Sequence, residues 1–476
     1  MIHIHNSHNV LSTEDTFGTL EIETPPSEIT SRKTVIHLML DISASMDERT
    51  SDGNSKLYQI QHVTRNILRY ISTKCLNGNV SVTLSTFNTS INTLFEDIVV
   101  TADNLQELIL KINDIYADDE TNIQLALKHI SAKNTPYTHN IFMSDGDANK
   151  GEMNPDKLAK YVEKHAASNT FVGFGLHHNP QIFTTLSSAT PNSEYYFIDM
   201  TEKAGLAYGE ILHKILYNQY RNVRIDIVGG TIYDWKLNEW TTYICVGDLA
   251  GDTKKTFHIS TPDPSKVMVL IGRVDANTGE SSEDVATWDG EKTDLAKYVF
   301  RHRTQVLMYE AKRKEPKEIK SRIVLLLKEV KDYIQSNNLG DDALLQNLCD
   351  DLVIVHRTIG TRFGTMYSNQ RQSSQGNQRT FNVFDTPTRC HADEVDFHTV
   401  SGNVTPFLSP QATAVMHDVT VSNIDHFDTG LSSIDTSALT ASIFHIPFPD
   451  LDAGTPIAKG TPFDSPVAAT RSFSDE

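Results

Sequence analysis

Residues 35–50 read VIHLMLDISASMDERT, and the change of character at position 41 decides how the chain is read. The run VIHLML (35–40) is short and almost wholly apolar, which suits a strand buried on both faces better than a helix. It stops at a carboxylate followed by two hydroxyls at alternate positions: Asp41, Ser43 and Ser45. Side chains placed just past the carboxyl end of such a strand face the edge where open parallel sheets collect ligands.

Working outward, Ile60, Val63, Ile67, Leu68 and Ile71 recur at helical spacing. VSVTLSTF (80–87) and INTLFEDIV (91–99) read as two strands close enough to form a hairpin. Helices are expected around 103–115 and 121–132, a strand at HNIFMSD (139–145) and a helix from Asp156 to Ala167. TFVGFG (170–175) is a strand, a helix lies near 180–188, EYYFID (194–199) is a strand, and a helix at 203–217 closes the unit. Strands separated by helices require crossover connections. The expected class is therefore α/β, a doubly wound and mainly parallel sheet over 34–217, with the 91–99 strand as an antiparallel edge.

Residues 1–33 read as a polar, irregular N-terminal extension, in which His3, His5 and His8 are incidental rather than a metal tract. After residue 220 the alternation stops. NVRIDIVGG, WTTYICVGDL, KKTFHIST and KVMVLIGRV are consecutive strands parted by turn residues, giving a small antiparallel β domain over 218–290. Stripes such as Ile319, Ile323, Leu327, Val330, Ile334 and then Leu345, Leu348, Leu352, Val355 define a helical domain over 291–365.

From 366 to 476 the composition turns to Ser, Thr, Asp, Gln and Pro with scattered Phe. Such a segment buries too little apolar surface to offset chain entropy and is expected to be a disordered tail. Trimming at about residue 367 is accordingly expected to leave thermal stability nearly unchanged. Within the tail TPFLSP (405–410) returns as TPFDSP (461–466). The repeat marks Thr405, Ser409, Thr461 and Ser465 as candidate phosphorylation sites for a proline-directed kinase or docking points for a phospho-reader.

Composition narrows the function. The 476 residues carry a net charge of -19, which repels nucleic acid and anionic lipid. The dense basic run Lys312-Arg313-Lys314 is interrupted by Glu310 and Glu315 and reads as a solvated helix face. The four cysteines are far apart, with no C-x-x-C pair, so neither a disulfide framework nor a Cys-rich zinc site is expected. There is no signal-peptide pattern and no apolar stretch of membrane-span length, and the expected location is the cytoplasm.

Two more loops at the same sheet edge supply oxygen ligands: Thr121 at the start of a helix, and Asp145 first after the strand ending near Met143. Asp41, Ser43, Ser45, Thr121 and Asp145 form a hard-oxygen set without imidazole or thiolate. It suits Mg²⁺, and Mn²⁺ nearly as well. Because the hydroxyls are neutral, a dication there keeps electrophilic character toward an incoming carboxylate. The alternative is that Ser43 and Ser45 cap the next helix. The loop at 145–156 approximates an EF-hand, but it follows a strand and has Lys150 where the turn glycine belongs.

Over roughly 33–217 the chain resembles the von Willebrand factor type A domain. Its metal ion-dependent adhesion site is matched by Asp41-Ile-Ser43-Ala-Ser45, by Thr121 and by Ser144-Asp145-Gly146. The resemblance implies direct ligation by Ser43, Ser45 and Thr121, with Asp41 and Asp145 acting through water. Glu120 departs from the small residue common before the threonine. The segment VGDLAGDTKKTFHI and the helices at 294–360 resemble companion segments of intracellular multidomain proteins with type A domains.

The chain lacks the P-loop, H-E-x-x-H and G-x-S-x-G patterns. His177-His178 read as rim residues exposed to solvent. The expected function is a non-enzymatic module that binds a partner protein's Asp or Glu through the ion. Two alternatives stand beside it: an accessory subunit of an ATPase or ubiquitin-related complex, and a metal-dependent hydrolase.

Overall fold

The computed structural model describes all residues except 1, 8–14, 50–52, 147, 164–166, 176–177, 199–200, 289–293, 362–363, 381–404 and 422–476. At 2–7, 201–203 and 421 only the backbone is described.

The expected strand at 35–40 is β3 (Thr34–Asp41), following β1 (Ile2–Ser7) and β2 (Thr16–Glu23). It pairs in parallel with β4 (Val80–Phe87), and β4 pairs antiparallel with β5 (Ile91–Ile98) at the sheet edge. On its other side β3 pairs in parallel with β6 (Thr138–Ser144). Then come β7 (Ser168–Phe174) and β8 (Ser193–Ile198), both parallel, giving the order β5-β4-β3-β6-β7-β8. Helices α1 (Lys56–Lys74), α2 (Ala102–Asn113) and α6 (Thr201–Leu216) neighbour one another on one face. Helices α3 (Ile123–Lys133), α4 (Pro155–Val162) and α5 (Pro180–Ser188) cover the other. With helices on both sides β3 has no solvent face, which is why its apolar side chains run consecutively instead of alternating. The α/β doubly wound class is as expected.

The β domain comprises β9 (Asn218–Val228), β10 (Thr231–Asp234), β11 (Glu239–Thr241), β12 (Tyr243–Ala250), β13 (Lys254–Thr261), β14 (Met268–Asp275) and β15 (Ser281–Thr287). They form two antiparallel sheets, β12-β9-β14-β15 and β1-β2-β13-β10-β11, which share one apolar core. The N-terminal extension is thus not irregular. Strand β2 runs the length of β13, from Thr16 opposite Thr261 to Glu23 opposite Lys254, and places Leu20 and Ile22 in that core. Its charged positions are held too, with Glu21 at 2.5 Å and Glu23 at 3.0 Å from Lys254 Nζ.

Helices α7 (Ala296–Glu310), α8 (Pro316–Ser336) and α9 (Ala343–Thr358) pack through the predicted stripes. Beyond them the expectation of a disordered tail fails for two segments. Helix α10 (Gly364–Asn377) is polar in sequence yet buried along nearly its whole length. Hydrogen bonds in place of apolar contacts make this tolerable. Gln375 donates to Asp351 at 2.7 Å, Gln372 donates to the Trp235 carbonyl at 2.8 Å, and Arg371 lies 3.3 Å from Asp351.

Helix α11 (Pro410–Val421) lies on α6, with Val415 and Val419 joining the core of the parallel-sheet domain. Gly205 and Gly209 allow the close approach, since a Cβ on Gly209 would sit 2.3 Å from Met416 Cα. The first TPFLSP copy is the clasp that starts this helix. Thr405 donates to the Thr380 carbonyl at 2.6 Å. Ser409 accepts from the Ala412 amide at 3.0 Å and donates to Asp252 at 3.2 Å. Both hydroxyls are buried, so Thr405 and Ser409 are not open to a kinase or phospho-reader in this fold. Thr461 and Ser465 lie outside the described residues.

Candidate metal centre at the carboxyl edge

Strand β3 ends with Asp41 fully buried and both its oxygens in use. Oδ1 accepts from the Ser43 amide at 2.8 Å, and Oδ2 accepts from the Ser144 hydroxyl, at the end of β6, at 2.5 Å. This grip turns the chain at once, and a single 3-10 turn (Ala44–Asp47) follows, pinned by buried Met46. Ser43 Oγ and Ser45 Oγ come to 3.2 Å of each other. Adjacent ligands of an octahedral Mg²⁺ with bonds of about 2.0–2.1 Å stand ~2.9 Å apart, so the pair matches one edge of such a shell. The capping alternative does not hold. Ser43 makes no side-chain cap bond, and it is Ser55 that caps α1 by accepting from the Tyr58 amide at 3.1 Å.

Backbone hydrogen bonds stitch the other two loops to this one. The Ala44 amide donates to the Asp119 carbonyl at 3.0 Å and the Asp118 amide to the Ile42 carbonyl at 2.8 Å. Thr121, just before α3, donates its amide to Asn149 Oδ1 at 2.8 Å, and its carbonyl accepts from the amides of Asn149 and Lys150. Its side chain is 2% exposed, and its hydroxyl has no protein partner among the described residues. Asp145 is buried, and its carbonyl accepts from the Asn179 amide at 3.0 Å. The structure thus brings Asp41, Ser43, Ser45, Thr121 and Asp145 to one rim through hydrogen-bonded loops.

Two findings concern the neighbourhood. Glu120 lies outside the cluster, in a half-exposed pair with Lys150 at 2.9 Å. His178 is not a rim residue. It is buried, stacked on Phe197 with ring centres 4.6 Å apart, and bonded through Nδ1 to the Gly175 carbonyl at 2.9 Å. Burial lowers its pKa to about 4, leaving it neutral. His177 lies outside the described residues.

Sequence reasoning missed Lys56. This first residue of α1 is buried, and its ammonium lies 2.9 Å from Asp145 Oδ2 and 2.8 Å from Glu48 Oε2. A signal was present, since a cation in the first turn opposes the helix dipole and needs a local anion to hold it. Counting buried charges, Asp41 and Asp145 bring two negatives and Lys56 one positive, so one carboxylate is uncompensated. Burial, and then the neighbouring Asp145, raise the Asp41 pKa to about 7 against the opposing bonds from Ser144 and Ser43. The donor set therefore fits a hard cation: among the described residues, two hydroxyls bond only to each other at near-octahedral spacing and a third has no partner, beside an under-compensated carboxylate.

A pH dependence follows. A folded pKa above the unfolded value means the folded chain holds the Asp41 proton more tightly. With a chelator present, the contribution of Asp41 to stability is complete below its ordinary pKa of ~4 and is lost as pH rises through about 7. Melting curves between those limits should show this decline, and Asp41→Asn should flatten it.

No protein-family model matches the chain, and no curated protein matches it. Among solved structures it is similar to VWA2, the ArnB paralog from Sulfolobus acidocaldarius. The two are 13% identical over 79% of this chain and 98% of that one, with a TM-score of 0.49. It is also similar to a von Willebrand factor type A protein from Catenulispora acidiphila, at 12% identity over 89% of this chain and 96% of that one, with a TM-score of 0.49.

Proposed function

We propose that the chain is a metal-dependent protein-binding module of the von Willebrand factor A type, recognising an acidic side chain of a partner protein. Ser43, Ser45 and Thr121 would hold a Mg²⁺ ion directly, with Asp41 and Asp145 behind them. When bound, the ion supplies an electrophilic position for a carboxylate from outside.

The observation that carries this reading is the Ser43–Ser45 hydroxyl pair, 3.2 Å apart beside an Asp41 whose two oxygens are already held by the Ser43 amide and Ser144. Asp41 is thereby fixed as a charge rather than free as a ligand, and the hydroxyls are left to coordinate. Lys56 is shared between Asp145 and the more exposed Glu48, so the buried carboxylates are left under-compensated and favour a dication, whose open coordination position takes an acidic group from outside. Binding is favoured over hydrolysis because Asp145 is held by Lys56 at 2.9 Å and His178 is buried and stacked on Phe197, so neither is offered as a base.

The test is capture of partners in Mg²⁺ against EDTA, with wild type and Asp41→Ala. Partners retained in Mg²⁺ and lost in both other conditions support the reading. Partners indifferent to chelation and to the substitution overturn it.

A further inference from the structure

A second polar cleft lies at the opposite edge of the parallel sheet, beside the start of β8. Its walls come from the end of α5, the β10–β11 turn, the segment after α7, and α10, and its volume is about 90 Å³. That space is too small for a drug-sized ligand but holds several waters or one small ion.

Three cations line it: Lys236, Lys312 and Arg313. Among the described residues none of the three has an ion-pair partner. Glu310, which precedes the run by one residue, is taken by Lys314 at 2.7 Å and by Arg322. The basic run Lys312-Arg313-Lys314 follows the end of α7 instead of lying on a helix face, and Arg313 as well as Lys314 is solvated as expected. Lys314 is exposed, whereas the Lys312 ammonium turns inward to Gln372 Oε1.

The one acid in the lining, Glu194, is already neutralised. Lys214 Nζ lies at 2.7 and 3.0 Å from its oxygens and Arg379 at 3.8 Å. Although burial would raise its pKa, these cations hold it down at about 2. The lining thus has three positive charges against one negative that is compensated from behind. Burial, and then Arg313, lower the Lys312 pKa to about 7, and burial lowers that of Lys236 against the weaker pull of Glu194 and Asp234. Asn369, which also lines the cleft, is 6% exposed and has a buried carbonyl oxygen with no partner.

From these observations we propose that the cleft binds phosphate, either free orthophosphate or the phosphoryl group of a small molecule. The three cations supply the counter-charge, and a P–OH, which a phosphate monoester keeps at and below its second pKa of ~6, satisfies the orphan Asn369 acceptor. Sulfate, which is fully deprotonated at neutral pH, has no such proton. This site does not depend on the metal centre, because it lies at the amino end of β8, whereas that centre lies past the carboxyl ends of β3 and β6.

The test is calorimetric titration of the full chain with orthophosphate, phenyl phosphate and sulfate at about pH 6 and constant ionic strength, where both phosphates retain a P–OH and sulfate does not. Saturable binding of either phosphate, tighter than sulfate, is expected, and whichever binds more tightly identifies the source. Lys236→Ala should weaken it roughly tenfold, while Lys266→Ala, on a distant exposed turn, should leave it unchanged. Melting curves confirm that both variants fold. Absence of saturable binding, equal affinity for sulfate, or binding undiminished in Lys236→Ala overturns the proposal.

Discussion

A chain ended after Thr361 should melt roughly 10 °C or more below the full-length protein, or fail to fold. The cut removes α10 and α11, and with them the buried side chains of Met366, Val415, Met416 and Val419. At ~1.5–3 kcal/mol for each such side chain, the apolar loss is on the order of 5 kcal/mol or more. The cut also strips Asp351 of Arg371 and Gln375, leaving a buried carboxylate without its partners. A milder probe separates the two helices. Gly209→Val drives a side chain into the α11 backbone and should release that helix alone, with a smaller drop in melting temperature. Unchanged melting in the truncated chain would show that neither helix is docked. This expectation reverses the one drawn from composition, under which trimming near residue 367 costs almost nothing.

Lys56→Met should be the most damaging single change at the metal centre when the ion is chelated. Methionine fills similar space but leaves Asp145 buried opposite an apolar side chain. Removing one member of a buried ion pair costs ~3–5 kcal/mol. Added Mg²⁺ should then raise the melting temperature of the variant more than that of wild type, because the ion becomes the only counter-charge available to Asp145. The measurement is a pair of melting curves per protein, in EDTA and in Mg²⁺. Equal Mg²⁺ increments in the two proteins would break the link between Lys56 and the ion.

Much of this was legible in the sequence where local pattern and tertiary environment agree. The run ending at Leu40 reads as a two-sided strand because every position in it meets apolar neighbours, and the abrupt Asp41 marks its carboxyl edge. Thr121 and Asp145 were placed on the same rim by the βα alternation alone. What escaped reading depends on partners remote in the chain. Strand β2 carries Thr19, Glu21 and Glu23 among its apolar residues and looks like a polar lead-in until Lys254 and His258 are set opposite it. Helix α10 has few apolar residues, so a reading built on hydrophobic burial discards it, although Gln372 donates to the Trp235 carbonyl, Gln375 donates to Asp351 and Arg371 lies beside Asp351. Lys56 was overlooked because search patterns for oxygen-ligated ions hold no place for an ammonium.

The pairing of β2 with β13 also constrains the order of events during synthesis. Thr24 closes that pairing by donating to the Ala250 carbonyl, 226 positions later. At ~5–20 residues per second, the first strand leaves the ribosome on the order of ten seconds or more before its mate exists. Strands β3 to β8 emerge complete within that interval, so the nascent chain can assemble its parallel-sheet domain first. All the while it carries an open β edge that only later translation covers.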